Sequence, residues 1–207
     1  MRILFIGAHI DDIEIGCGGV LIKHVSKGDE VLLAITESDE FLTGDPSARM
    51  CEQTHVIEIL STTGPNVNHV PVYFFDMNYS FTDIVTILDK FKPDRIFTHH
   101  CNDTHQAHYR ANRIGMSVGR KAEIETYLYD SGSCFDFNPN IFFPMTYNMF
   151  SSKMALVRCF QSQVKNGHIK IKDIIKRNAY WGSKIFSNEG HKYAEGFFSY
   201  KVRYNYE

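Results

Sequence analysis

No stretch of the chain stays apolar over the roughly 18 residues that a helix needs to cross a bilayer, so any membrane contact would have to be peripheral. Charge of one sign is equally scarce: 22 lysines and arginines are set against 24 aspartates and glutamates, well mixed along the chain. With a formal charge of −2 and no basic stripe, nucleic acid is not an expected partner. Cysteine is sparse and without pattern. Cys17, Cys51, Cys101, Cys134 and Cys159 are odd in number and form no CxxC pair, which argues against a disulfide framework or a thiolate zinc site and suggests reduced thiols in a cytoplasmic protein. Proline is rare, at six residues, and no repeat, low-complexity tract or linker interrupts the sequence, so a single domain spanning residues 1–207 is expected. The opening "MRILFI" reads as a strand rather than as a basic segment leading into an apolar one, and no secretion signal is expected.

What is present is an alternation of short apolar runs with segments of helical period, the pattern of repeated βαβ units and a mostly parallel sheet. "RILFIGA" and "VLLAIT" read as strands buried on both faces. Between them, "GGVLIKHVSKG" carries Val20, Leu21, His24 and Val25 on one helical face and ends at Gly28. Asp45 and Pro46 look like an N-cap and first helical position. A third strand is expected within "NHVPVYFF", where Pro71 requires an edge position or a later start. Ser80 with Asp83 resembles a capping box for a helix that stops before Pro93. "DRIFTHH" and "ETYLYD" supply a fourth and fifth strand. Beyond about Phe135 the pattern weakens to an aromatic loop, helices through "SSKMALVRCFQSQ" and "IKDIIKRNAYWG", and a final aromatic segment.

Two polar clusters interrupt this pattern, and both fall where a strand ends. "GAHIDDIEIGCGG" follows the first strand and "HHCNDTHQAH" the fourth, at the edge of an open α/β sheet where ligands sit. His105 and His108 are three apart and share one side of the following helix. Two histidines and one carboxylate from these segments would make a three-ligand metal site with a position open for water, as zinc hydrolases require. Asp11, adjacent to Asp12 but pointing elsewhere, would then be the base that deprotonates that water, and His105 would face the developing oxyanion. The constellation could hydrolyse an amide.

The same residues resemble a known family. "AHIDDIEIGCGG" is similar to the Ala-His-Pro-Asp-Asp opening of the LmbE-like, or PIG-L, zinc-dependent N-deacetylases, and "THHCNDTHQAH" is similar to their second histidine motif. Arg49 with Glu52, the Lys153–Gln163 stretch, and Tyr193, Ala194, Glu195 and Phe197 extend the resemblance over nearly the whole chain. Members remove N-acetyl groups from sugars, glycolipid precursors, thiol-cofactor precursors and antibiotics. The resemblance implies a Rossmann-like three-layer α/β fold with its active site at the carboxyl ends of the strands. It also implies Zn2+ held by His9, Asp12 and His108, a general base at Asp11, an electrophilic or acid role for His105, a substrate contact from Arg49, and a small N-acylated sugar as substrate.

Two departures stand out. Ile10 replaces the usual proline, which loosens a loop without removing a catalytic atom. Ala107 replaces an aspartate expected to support His105, a contact that Asp103 could take over. Ala107 also motivates a second reading, a catalytically impaired member that binds a glycan or nucleotide sugar. An Fe2+ site is a third, since two histidines and a carboxylate form the facial triad of oxygenases, although that chemistry leaves Asp11 without a task. Blander readings exist for each residue. Asp11 and Asp12 could cap the next helix, Arg49 could be an exposed helix residue, and Gly16, Gly18 and Gly19 could serve only close packing, since their spacing is not a dinucleotide fingerprint. His24, His55, His69, His168 and His191 read as surface or packing residues, and of His99 and His100 one would line the pocket. Phe197, Phe198, Tyr200 and Tyr204 suit a core or a subunit contact, which leaves a homo-oligomer open. Specificity would come from the region Ser131 to Asn148.

Overall fold

Along the first strand, successive side chains leave for opposite faces, and both faces are covered. Ile3 and Phe5 belong to one apolar cluster and Leu4 and Ile6 to another, all four with no exposed surface. A strand covered on both sides is the central strand of a parallel sheet. The computed structural model, which describes residues 1–37, 46–63, 72–76, 87–120, 124–185 and 191–202, bears this out. Its strands are β1 (Arg2–Gly7), β2 (Glu30–Ile35), β3 (Val72–Asp76), β4 (Arg95–His99), β5 (Glu125–Tyr129), β6 (Ile141–Met145) and β7 (Tyr193–Lys201). They form one sheet in the order β3-β2-β1-β4-β5-β7-β6. The first five run parallel, and β7 pairs antiparallel with both β5 and β6.

The helices are α1 (Asp12–Ser26), α2 (Pro46–Ser61), α3 (Gln106–Gly119), α4 (Tyr147–Cys159), α5 (Gln161–Lys165) and α6 (Ile171–Gly182). Apolar residues of α1, α2 and α4 join Ile3, Phe5, Val31 and Leu33 on one face of the sheet. Ala107, Ala111 and Val118 of α3 join Leu4, Ile6 and Leu32 on the other. The architecture is therefore the three-layer Rossmann-like α/β fold expected from the alternation. Among the described residues, no helix is long and apolar enough to cross a membrane.

The structure sharpens several expectations. The third strand is described over Val72–Asp76 and lies at the edge of the sheet. The first helix starts at Asp12 rather than at Gly18, because nearly every residue from Asp12 to Val25 is buried and no polar face betrays the early turns. Beyond Phe135 the two expected helices are present as α4 with α5 and as α6, Phe197 is core, and the loop and the final aromatic segment add two strands, β6 and β7, which pair antiparallel and extend the sheet. Of the expected features, Asp45, the Asn68–Pro71 end of the third strand, His69, the Ser80 and Asp83 capping box and Tyr204 lie outside the described residues.

The C-terminal extension is clamped to α1 by a buried ion pair. Lys153 Nζ meets Glu195 Oε1 at 2.7 Å, and neither side chain has exposed surface. The Glu195 carboxylate also accepts the Gly19 N–H at 2.7 Å and the Val20 N–H at 2.9 Å. A carboxylate comes this close to N–H groups inside a helix only where no side chain intervenes, and the glycines leave that room. A Cβ at Gly18 would lie 2.9 Å from the Lys153 side chain, and one at Gly19 would lie 2.4 Å from Met145 Sδ. Burial lowers the Lys153 pKa while Glu195 opposes that effect. Removing the cation alone strands a buried carboxylate, so Lys153→Met should cost about 3 kcal/mol in urea unfolding. A change below about 0.5 kcal/mol, the usual range for surface substitutions, would contradict this account of the clamp.

Candidate metal centre

β1 and β4 are neighbours whose onward connections leave in opposite directions, β1 through α1 to β2 and β4 through α3 to β5. Their carboxyl ends therefore flank the topological switch point of the sheet, where α/β folds bind ligands. The last paired residues of these two strands are Phe5 and Phe97. Past them, the Ala8 N–H turns to the side chain of His99, donating to Nε2 at 3.1 Å. The chain then turns sharply through Asp11, a non-glycine residue at φ 109°, into α1. Such a conformation costs on the order of 1–3 kcal/mol, and strain of this kind gathers at functional sites. Asp11 occupies the N-cap position without making a side-chain cap hydrogen bond, so the capping explanation does not account for it. Asp12 does bond locally, its Oδ2 accepting the His9 N–H at 2.8 Å.

This turn brings the two sequence clusters together. His9 Nδ1 lies 3.4 Å from Asp12 Oδ2, and His108 Nε2 lies 3.2 Å from Asp12 Oδ1. His105 joins them, with ring centroids 4.9 Å from His9 and 4.6 Å from His108. His9, His105 and His108 can each offer a nitrogen within 4.8 Å of the others, and so can Asp12, His99 and His108, one carboxylate oxygen counting for Asp12. The Nε2 atom of His99 already receives the Ala8 N–H, which leaves it poorly suited as a ligand. The outer nitrogen of His108 faces Asp103 Oδ2 at 2.9 Å and Ser133 Oγ at 3.0 Å. A carboxylate behind the imidazole is the arrangement that orients metal-ligating histidines. His9 and His108 each approach Asp12 pairwise, and two imidazoles with one carboxylate have the donor chemistry of a divalent cation of the Zn2+ type, while the trios whose ligand atoms all lie within 4.8 Å of one another are His9–His105–His108 and Asp12–His99–His108.

Asp103 thus sits differently from expectation. It meets His105 only through that residue's backbone N–H, at 2.8 Å, while its second oxygen supports the ring of His108. His105 does not enter α3 but caps it, its Nδ1 accepting the Ala107 N–H at 3.2 Å. Arg49 is not an exposed helix residue: it is 7% exposed, and its Nη2 lies 3.4 Å from Asp11 Oδ2. Glu52, four-fifths of a turn onward, accepts hydrogen bonds from the Ser162 N–H and hydroxyl, both at 2.7 Å, and so fixes α5 rather than the site. His9, Asp11, Asp12, Arg49, His105 and His108 all open onto one cavity of about 580 Å³. Its outer wall includes Ser131, Ser133, His168 and Arg177. Neither His99 nor His100 lines this cavity. His99 lies buried beneath it, its ring stacked on His108 at 4.1 Å, and His100 faces a second cavity of about 360 Å³. Ser131 and Ser133 fall in the region expected to set specificity, but their contact with His108 carried no sequence signal, because the spacing of a loop says nothing of its partner across the sheet.

The electrostatics follow from burial. Burial raises the Asp11 pKa well above the carboxylate range, the neighbouring Asp12 raises it further, and Arg49 pulls it back in part. Burial acts on Asp12 in the same sense, but His108 and His99 outweigh it and the net shift is downward. His108 answers in kind: burial lowers its pKa, yet Asp12 and Asp103 raise it to about 10. Asp103, opposed by burial but hydrogen-bonded by His108 and Ser133, falls to about 2. Without a cation, the protein therefore keeps a proton on His108 between two carboxylates.

Fold and site together define a doubly wound α/β protein with a histidine–carboxylate centre at the switch point. Residues 4–118 match the profile of the GlcNAc-PI de-N-acetylase family, and the chain belongs to that family, PIG-L. "Uncharacterized deacetylase YaiS" of Escherichia coli K12 is 27% identical over 168 residues, covering 77% of this chain and 90% of that protein. Two solved structures show the shared fold. The 4-carboxy-2-hydroxymuconate hydratase GalB of Pseudomonas putida KT2440 superposes with a TM-score of 0.78 at 18% identity, covering 100% of this chain and 99% of that one. The N,N'-diacetylchitobiose deacetylase of Pyrococcus horikoshii superposes with a TM-score of 0.74 at 20% identity, covering 95% and 82%.

The charged His108 has two consequences. Its folded pKa lies above the unfolded value of about 6.5, so its stabilisation of the metal-free protein is complete below that pH and disappears as pH rises towards 10. A cation must also displace that proton. Calorimetric titration with Zn2+ at pH 7 in buffers of different ionisation enthalpy should show release of about one proton per ion bound. Binding without proton release would contradict the doubly paired imidazolium.

Proposed function

We propose that the protein is a metal-dependent hydrolase that removes an N-acyl group, acetyl above all, from an amino sugar or a sugar-containing small molecule. The observation that carries this reading is the meeting of His9, Asp12 and His108 with a further, unliganded carboxylate, Asp11, in one cavity. Family membership and the names of the relatives, a deacetylase in Escherichia coli and a diacetylchitobiose deacetylase in Pyrococcus, support it. A hydratase shares the fold, so the assignment rests on the site and the family rather than on the architecture.

In this reading His9, Asp12 and His108 hold the ion, Zn2+ or another divalent metal such as Fe2+. What such a cation supplies when bound is Lewis acidity towards the acyl oxygen and towards water. Asp11 takes a proton from the attacking water at a carboxylate oxygen, as the water oxygen bonds to the acyl carbon. Its burial raises its affinity for that proton and so makes it a better base than an exposed aspartate near neutral pH. Arg49, 3.4 Å away, keeps the base oriented and limits that rise. Arg49 also lines the cavity, where a substrate hydroxyl or phosphate would meet its guanidinium. The Ala107 N–H occupies His105 Nδ1, so the neutral ring carries its proton on Nε2 and donates it as a hydrogen bond to the acyl oxygen as charge develops there. The carbon–nitrogen bond then breaks while Asp11 returns its proton to the nitrogen, which leaves as a free amine beside the carboxylate product.

The Ala107 departure does not favour the silent binding protein. Ala107 is 1% exposed and belongs to the apolar cluster with Leu4, Ile6 and Ala8, and His105 is held by backbone instead. Acetate release from N-acetylated sugars by the Zn2+-loaded protein tests the reading. Asp11→Asn should lower the rate by about 100- to 10,000-fold while leaving metal content unchanged. Asp11→Gly should also remove the rate, yet raise stability by about 1 kcal/mol, because glycine accepts φ 109° without strain. An undiminished rate in Asp11→Asn would remove Asp11 from its role as base.

A further inference from the structure

The carboxylate behind His108 has a counterpart on the other side of the centre, at a position that neither sequence motif includes. Glu37 lies two residues beyond the end of β2. The β1–β2 ladder runs on past both strands to reach it: the Thr36 N–H donates to the Gly7 carbonyl at 3.0 Å, and the Glu37 N–H donates to the Ala8 carbonyl at 2.9 Å. The backbone of Glu37 is thereby fixed beside the residue that precedes His9. Its side chain returns towards the same ring, with Oε2 3.5 Å from His9 Nε2.

Seen from the centre outwards, the two imidazoles are treated alike. The inner nitrogens, His9 Nδ1 and His108 Nε2, face the two oxygens of Asp12 at 3.4 and 3.2 Å. The outer nitrogens, His9 Nε2 and His108 Nδ1, face Glu37 at 3.5 Å and Asp103 at 2.9 Å. Metal-ligating histidines characteristically donate their second N–H to such a carboxylate, which selects the tautomer, holds the ring plane and raises the basicity of the ligating nitrogen. Glu37 is restrained for this task. Its side chain is only 15% exposed, and its other oxygen, Oε1, is engaged by Arg110 Nη2 from α3, the helix that carries His108. One arginine thus ties the carboxylate behind His9 to the helix behind the opposite ligand.

We propose that Glu37 is the positioning residue for His9, fixing the tautomer that presents Nδ1 to the cation, with Arg110 holding Glu37 in place. The inference rests on the metal-site reading above, and extends it to a residue outside both motifs. It does not touch substrate, so its signature is in metal affinity and ring geometry rather than in turnover alone.

The test is Zn2+ affinity by competition with a chromophoric chelator in the full chain, for wild type, Glu37→Gln, His9→Gln and the double variant. Wild type should bind one ion, and Glu37→Gln should bind it about 10- to 100-fold more weakly, the usual effect of losing such a carboxylate. The effect should vanish in the His9→Gln background, since a merely structural role would weaken binding there as well. Nitrogen-15 NMR of the wild-type imidazoles gives a reading that depends on no variant folding: the His9 proton should reside on Nε2 in the Zn2+-loaded protein. Wild-type affinity retained in Glu37→Gln, an effect that persists without His9, or a proton on Nδ1 would each overturn the proposal and leave the metal site standing. Absence of Zn2+ binding by wild type would overturn both.

Discussion

Two adjacent carboxylates are buried at the end of the central strand, and much of the surrounding structure answers that fact. Asp11 and Asp12 are 7% and 4% exposed, where bringing an uncompensated charge out of water costs several kcal/mol. The protein resolves the problem by dividing the two. Asp12 is surrounded by His9, His99 and His108 and stays ionised, whereas Asp11 has Arg49 at longer range and has its pKa raised by burial. A pair of like groups pushed apart by environment is how one site acquires both a fixed anion and a movable proton. The imidazolium of His108 is the cation that completes the balance in the absence of a metal, and its place between Asp12 and Asp103 marks where positive charge is wanted.

The sheet and its first cluster were legible because they depend on local rules. Ile3 to Ile6 are apolar on both faces, glycine follows at Gly28, and polar residues gather where strands one and four end. The convergence of His9, Asp12 and His108 could be argued from that topology, since adjacent parallel strands deliver their carboxyl ends to one crevice. What could not be read depends on contacts between distant segments. Asp103 stands two residues before His105, so sequence proximity pairs it with that histidine, yet the helix turn carries His108 onto its second oxygen. Glu37 follows β2 with no motif around it, and only the ladder that binds it to Ala8 brings it beside His9. The β6–β7 pair was missed because half-buried aromatic strands such as "IFFPM" lack a clean alternation.

The family profile ends at residue 118, whereas the cavity does not. Ser131 and Ser133 reach His108 from the loop after β5, and Arg177 of α6, bonded to Asp130 at 3.1 Å, forms part of the outer wall. In the same half of the chain, Lys153 of α4 and Glu195 of β7 pair with each other and tie β7 to the Gly19 and Val20 N–H groups of α1. The division is a physical one. The first half of the chain carries the ionisable centre, and the second supplies further walls of the cavity above it.

The central claim is that His9, Asp12 and His108 hold one cation between them, with Asp11 beside it and His99 beneath it. Anomalous scattering at the zinc edge from crystals of the Zn2+-loaded protein tests it most directly. The account predicts one strong peak bonded to His9 Nδ1, Asp12 and His108 Nε2. A peak bonded to His99 instead, or imidazoles of His9 and His108 turned apart with no ion between them, would contradict it.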